Sequence, residues 1–311
     1  MREFCECRWQ DGRARLFFKM IRRVLKWCSC LSLAGFLLLG GCVASVAWTM
    51  PRGGMREAKE NVERLIGDQT AFLKQEGAVN YLQMGEGKNH EVTFFFVHGT
   101  PGELGNWGIF LGDDELQEDY GMIAFDRLGH GQSQRGVAEV NLQKQAEALA
   151  KVASGIAGKK IWVGHSYGAG VVSKVAALQP DLVDGLVLVA GSMSGELVQK
   201  TWYQSLGETR LAQSLMNERW KVANLEMVAL EGELNAMSDA WGDLTCPVVV
   251  VHAKNDILAK FANVAFVEER IDEKRFRKVV LEDENHFLIW NSVPVVKKVL
   301  FEMAEDVKEG T

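Results

Sequence analysis

Six short apolar runs, interleaved with stretches of helical spacing, constrain this chain more than any other feature. They are Val92–Val97, Met122–Phe125, Ile161–Val163, Leu186–Val189, Val248–Val251 and Val279–Leu281. Runs that are apolar without alternation suit strands buried on both faces of a parallel sheet. Val79–Met84 reads as a first strand, closed by a turn at Gly85-Glu86-Gly87. Residues 142–156, 261–271 and 295–307 carry apolar side chains on one helical face, and 171–178 is small and apolar. Strand and helix in alternation predict an α/β fold with a mostly parallel sheet. There is no internal repeat, and five prolines in 311 residues leave no Pro-rich linker to divide the body.

One interval breaks the alternation. Between the runs ending at Val189 and starting at Val248 the composition is helical and rich in large apolar residues, among them Trp202, Leu211, Leu215, Trp220, Leu230 and Trp241. We expect a small helical cap over about 193–244, because the insertion falls at the carboxyl-end side of the sheet, where α/β folds bind ligands. Such a cap would line an apolar substrate pocket, although the same side chains also serve plain packing.

The N-terminus is a different kind of sequence. Residues 1–30 carry eight Lys/Arg against three acids, leaving 27 basic and 38 acidic residues in the rest of a chain whose net charge is −6. An acidic body offers no electrostatic footprint for nucleic acid. The 24 residues Trp27 to Met50 contain no charge, and about 20 such residues span a bilayer. The basic flank 1–26 then predicts a cytoplasmic N-terminus and an extracytoplasmic body. Two membrane readings compete. One is an uncleaved single-pass signal anchor. The other is a lipoprotein signal, since Leu39-Gly40-Gly41-Cys42 is similar to a bacterial lipobox and a start at Met20 gives a short basic n-region. Residues 51–77 read as a linker and amphipathic helix, and 78–308 as the body. The Cys-x-Cys pairs near the start lack the spacing and histidine partners of zinc sites, and Cys246 is the body's single cysteine, so neither a metal site nor an intradomain disulfide is expected.

The chemistry centres on Gly164-His165-Ser166-Tyr167-Gly168. This is G-x-S-x-G between a strand (160–163) and a helix (170–178), the context of a nucleophile elbow. Gly164 and Gly168 are the positions where a Cβ would crowd the neighbouring chain. A serine hydroxyl needs a base, and the base needs an orienting carboxylate. Two histidines follow Ser166. His252 ends an apolar run and reads as a strand residue, whereas His286 lies in a loop before the final helix and is the candidate base. Asp256 follows the Val248–Val251 strand and is the candidate acid, with Glu282 and Asp283 as fallbacks. Asp243 precedes that strand and sits at the wrong sheet edge.

Two backbone N–H groups should face the charge that develops on an attacked carbonyl. One is that of Tyr167, directly after the serine. The other comes from His98-Gly99-Thr100-Pro101-Gly102. Pro101 has no N–H, so Thr100 is the candidate. Gly99 allows close approach, and His98 reads as structural. In Asp126-Arg127-Leu128-Gly129-His130-Gly131-Gln132-Ser133 we expect a scaffolding loop in which Asp126 and Arg127 pair.

With these motifs in order, the chain resembles the α/β-hydrolase superfamily over about Val79 to Val307. The resemblance implies an eight-stranded, mostly parallel sheet, a Ser166-Asp256-His286 triad and no cofactor. Serine at 166 separates the chain from the dehalogenases and epoxide hydrolases of that superfamily, which use an aspartate. Asn285 stands before His286 where relatives often carry Gly. The expected activity is ester hydrolysis through an acyl-enzyme, on a small-molecule substrate with an apolar group. The HGTPG loop is similar to the HGGPG loop of proline iminopeptidases, so peptidase or amidase activity stays open, as do carbon–carbon bond hydrolysis and acyl transfer. A non-enzymatic binding module on the same fold is the remaining alternative.

Overall fold

The computed structural model describes residues 51–85, 90–199, 204 and 207–310. The expected membrane segment 27–50, its basic flank and Cys42 lie outside the described residues. Among the described residues no helix is long and apolar enough to cross a membrane.

Eight strands form one sheet: β1 (Ala71–Glu76), β2 (Val79–Met84), β3 (Val92–Val97), β4 (Gly121–Phe125), β5 (Lys159–His165), β6 (Gly185–Val189), β7 (Val248–Ala253) and β8 (Phe276–Leu281). Their order is β1-β2-β4-β3-β5-β6-β7-β8. β1 and β2 run antiparallel to their neighbours, and every pairing from β4 to β8 is parallel. Among the described residues five longer helices accompany it: α1 (Arg52–Gly67), α2 (Leu142–Ser154), α3 (Tyr167–Leu178), α4 (Glu218–Asn235) and α5 (Val293–Glu309).

The unbroken apolar runs become the central strands because both of their faces are covered. On one face Phe95 stacks on Trp162 at 4.9 Å and 20°, beneath α2 and α3. On the other, Phe94, Phe96, Ile161 and Val163 join side chains of α1 and α5.

Segment 51–77 holds the expected helix, but it also holds a six-residue edge strand where a linker was expected, and β1 pairs with β2 from Ala71↔Met84 to Glu76↔Val79. Its sequence, AFLKQE, lacks an apolar run because an edge strand exposed along one side tolerates charge. α1 is seated on the body through Ala58, Val62 and Leu65, all buried. A Cβ on Gly108 would lie 1.8 Å from the Ala58 carbonyl oxygen, so the helix backbone rests directly on that glycine.

In the inserted interval the principal helix is α4. It buries Val222, Ala223, Leu230 and Leu234, together with one acid, Glu226.

Candidate active site

The loops after β3, β4, β5, β7 and β8 all leave the carboxyl ends of parallel strands, the side on which open α/β sheets place ligands. His98, Gly99, Thr100, Asp126, Arg127, Ser166, Asp256 and His286 lie in these loops.

Ser166 follows β5 and precedes α3 with φ 56° and ψ −120°. This left-handed conformation is costly for a residue with a Cβ and persists only where the surroundings fix it. Here the Ser166 N–H donates to Val189 O at 3.0 Å, and Ser166 O accepts from Ala169 and Ser192 at 3.1 and 3.2 Å. The flanking glycines are required by close approach. A Cβ on Gly164 would lie 2.6 Å from Gly168 O, and one on Gly168 would lie 2.4 Å from Val97 O.

His286 Nε2 is 2.9 Å from Ser166 Oγ, and His286 Nδ1 is 2.8 Å from Asp256 Oδ2. An ionised carboxylate only accepts, so Nδ1–H donates to Asp256 and Nε2 presents its lone pair to the hydroxyl. The other oxygen of Asp256, Oδ1, accepts the N–H groups of Leu258 and Ala259, each at 2.8 Å. Burial alone would raise the Asp256 pKa, but the bond from His286 and its charge outweigh this and hold it below the usual value. The neighbouring loop is tied by Asn285, whose Oδ1 accepts the Phe287 N–H at 3.0 Å and Asn291 Nδ2 at 3.3 Å. An asparagine thus closes a turn there through its own side chain.

The alternatives do not reach the serine. His252 is buried at the end of β7, where its Nε2–H donates to Ala259 O at 2.9 Å and lies 3.5 Å from Asp256 Oδ2, behind the acid. Glu282 and Asp283 are exposed, and Glu282 pairs with Lys254 at 2.7 Å. Asp243 is exposed ahead of β7.

Gly99 approaches Ser166 so closely that a Cβ on it would lie 2.9 Å from Ser166 Cβ. The 98–102 loop therefore borders the serine, as the reading of Thr100 requires. Tyr167 opens α3, and its N–H belongs to the first turn, whose donors have no intrahelical acceptor. His98 is fully buried; its Nδ1–H donates to Gly99 O at 2.7 Å, and its Nε2 accepts the Arg127 N–H at 3.1 Å. Burial, followed by the charge of Arg127, lowers the His98 pKa well below the ordinary value, which keeps the ring neutral.

Asp126 and Arg127 do not pair. Asp126 accepts the N–H groups of Leu104 and Gln132 at 2.8 and 2.9 Å, and burial raises its pKa to about 6. Arg127 turns the other way and forms a fully buried ion pair with Glu226, at 2.6 Å. The two side chains follow each other in sequence but leave the loop in opposite directions, each toward a different set of partners.

Glu226 is a residue the motif reading passed over. Its signal was present: it occupies the same helical stripe as Val222 and Leu230, four residues away on either side, so an acid stands where an apolar residue belongs. His165 was passed over too. It is buried beside His286, with ring centroids 5.1 Å apart, and its Nε2–H donates to His286 O at 3.1 Å. Burial above all lowers its pKa to about 3.

Comparison with known proteins agrees with this fold. A family model described as the alpha/beta hydrolase fold matches residues 92–210. A dihydrolipoyllysine-residue acetyltransferase component of an acetoin cleaving system from Cupriavidus necator is 35% identical over 122 residues, 39% of this chain and 31% of that protein. The chain thus spans about a third of the length of that relative. The (E)-2-((N-methylformamido)methylene)succinate hydrolase of Acinetobacter baylyi is 22% identical over 70% of this chain and 91% of its own. Among solved structures, a membrane phospholipase A aligns with TM-score 0.60 at 20% identity, covering 89% of this chain and 98% of its own. A monoacylglycerol lipase from Paleococcus ferrophilus aligns with TM-score 0.60 at 15% identity, covering 73% and 98%. Family model, strand order and structural likeness point the same way, and the chain is a member of the α/β-hydrolase superfamily.

Proposed function

We propose that this chain is a serine hydrolase that cleaves carboxylic esters through an acyl-enzyme. The observation that carries the reading is the continuous relay Asp256–His286–Ser166, with contacts of 2.8 and 2.9 Å. Ser166 Oγ attacks the substrate carbonyl carbon as its proton passes to His286 Nε2. Asp256 keeps the imidazole in the required tautomer and stabilises its charge. The negative oxygen of the tetrahedral intermediate accepts from the Thr100 and Tyr167 N–H groups. Collapse expels the alcohol, which takes the proton from His286. Water then loses a proton to His286, attacks the acyl carbon and releases the acid and the serine.

An ester with an apolar acyl group is the preferred substrate class, on the apolar composition of the inserted interval and the likeness in fold to a phospholipase A and a monoacylglycerol lipase. Residues 27–50 tether the body to a membrane, on its outer face, as an uncleaved anchor or through a lipidated Cys42.

The test is turnover of a short p-nitrophenyl ester by the full chain and by Ser166→Ala, with fluorophosphonate labelling of both. Labelling at Ser166 and turnover that vanishes in the variant are expected. Full activity in Ser166→Ala overturns the proposal. A panel of esters against aminoacyl amides then assigns the preferred bond.

A further inference from the structure

The Glu226 carboxylate, with none of its surface exposed, accepts five donors. Oε1 receives Arg127 NH1 at 2.6 Å and Gln145 Nε2 at 2.9 Å. Oε2 receives Thr100 Oγ1 at 2.5 Å, His130 Nε2 at 2.9 Å and Arg127 NH2 at 3.1 Å. Glu226 and Arg127 are both fully buried. Such a pair is weak evidence for stability, because taking two charges out of water offsets most of their attraction. What it does supply is a fixed direction for every group bonded to it.

The groups so fixed converge on two successive peptides, and one of them carries the Thr100 N–H. Arg127 Nε donates to His98 O at 3.0 Å, and Arg127 NH2 donates to Gly99 O at 3.0 Å. Gly99 O also accepts from His98 Nδ1. That carbonyl belongs to the Gly99–Thr100 peptide, whose N–H points the opposite way, as in every planar trans unit. Holding the carbonyl from one side and Thr100 Oγ1 from the other therefore sets where the Thr100 N–H is aimed. Hydrogen bonds to the carbonyl also polarise the amide and strengthen its N–H as a donor. The same guanidinium lies 4.4 Å from the centroid of the Tyr167 ring, the residue that bears the other proposed oxyanion donor.

We propose that Glu226, carried on α4 in the inserted interval, is a positioning residue that aims the Thr100 N–H through Arg127 and the Thr100 hydroxyl. The inference rests on the serine-hydrolase reading and adds to it. Because α4 supplies the carboxylate, the seating of the inserted interval and the alignment of the oxyanion loop become one structural event.

The experiment compares steady-state ester hydrolysis by the full chain and by Thr100→Val, Thr100→Ser, Glu226→Gln and the Glu226→Gln/Thr100→Val double variant, each with a melting curve. Thr100→Val keeps the N–H and the branch but loses the hydroxyl, and it leaves Glu226 its bonds to Arg127, Gln145 and His130. It is expected to melt with the parent and to lose about tenfold in kcat with KM changed by less than about twofold, the pattern of an interaction made only in the transition state. Thr100→Ser restores the hydroxyl and is expected within about twofold of the parent. Glu226→Gln is expected to lose about 10- to 100-fold in kcat, and the double variant no more than Glu226→Gln alone. A Thr100→Val enzyme with parental kcat, a change in KM alone, or losses that multiply in the double variant each overturns the proposal. Should Glu226→Gln not fold, the Thr100→Val and Thr100→Ser pair decides. A parent chain that neither turns over ester nor takes a fluorophosphonate label overturns the hydrolase reading and this inference with it. An active parent with an indifferent Thr100→Val overturns this inference alone.

Discussion

Asp256 is the residue at which two side chains of one shape should differ most. Asn at 256 keeps an oxygen for the Leu258 and Ala259 N–H groups but offers an amide N–H where His286 Nδ1 needs an acceptor. The imidazole then favours the tautomer with its proton on Nε2, facing the serine. We expect Asp256→Asn to fold normally and lose on the order of 10⁴ in kcat. Ester kinetics beside a circular dichroism spectrum check this, and near-parental activity would move the role to Glu282 or Asp283. Gly168→Ala is expected to destabilise the fold by about 1–3 kcal/mol, since the new methyl meets two backbone carbonyls of 97 and 98 that cannot yield. Urea unfolding measures it. Ser166, Asp256 and His286 were legible in the sequence because each sits at a strand end, in the chain order that this fold gives to nucleophile, acid and base. Glu226 was legible only as an acid on an apolar stripe, and its role was not, because its partners come from 81 to 126 residues away and no local motif announces them.

At the scale of elements, the buried strands were readable and the edge was not. β2 and β3 have the bounds their apolar runs predict, and β4 to β8 extend theirs by one to a few residues. β1 escaped notice because its side chains alternate between partly covered and exposed. Its neighbour α1 looked like a tether because so many of its residues are charged, yet Leu65 is buried within the cluster that holds Phe94 and Met122. If α1 is part of the packed body, Leu65→Ala should cost about 2–5 kcal/mol in urea unfolding. A cost below about 0.5 kcal/mol, typical of a surface site, would return the helix to the status of a linker.

For the molecule as a whole, acid should reveal the buried charge. Desolvation alone would raise the Glu226 pKa, but Arg127 and His130 more than reverse it and hold it at about 2, against an ordinary 4.5. A depressed carboxylate contributes stability that is complete above its unfolded pKa and is lost as pH falls through the folded one. The gap in stability between the parent and Glu226→Gln should therefore be full above pH 4.5 and narrow as pH falls toward 2. Urea midpoints across that range test it, and a constant gap would mean that charge is not what Glu226 contributes. The same carboxylate limits how the enzyme can be re-engineered. The inserted interval looks like an exchangeable module, to be swapped for that of another hydrolase when a different substrate is wanted. The foot of that module is not exchangeable. A chimera that brings no acid to the place of Glu226 leaves the Arg127 guanidinium sealed in the interior without a counter-charge, so transplanted specificity requires carrying over the carboxylate or redesigning position 127 with it.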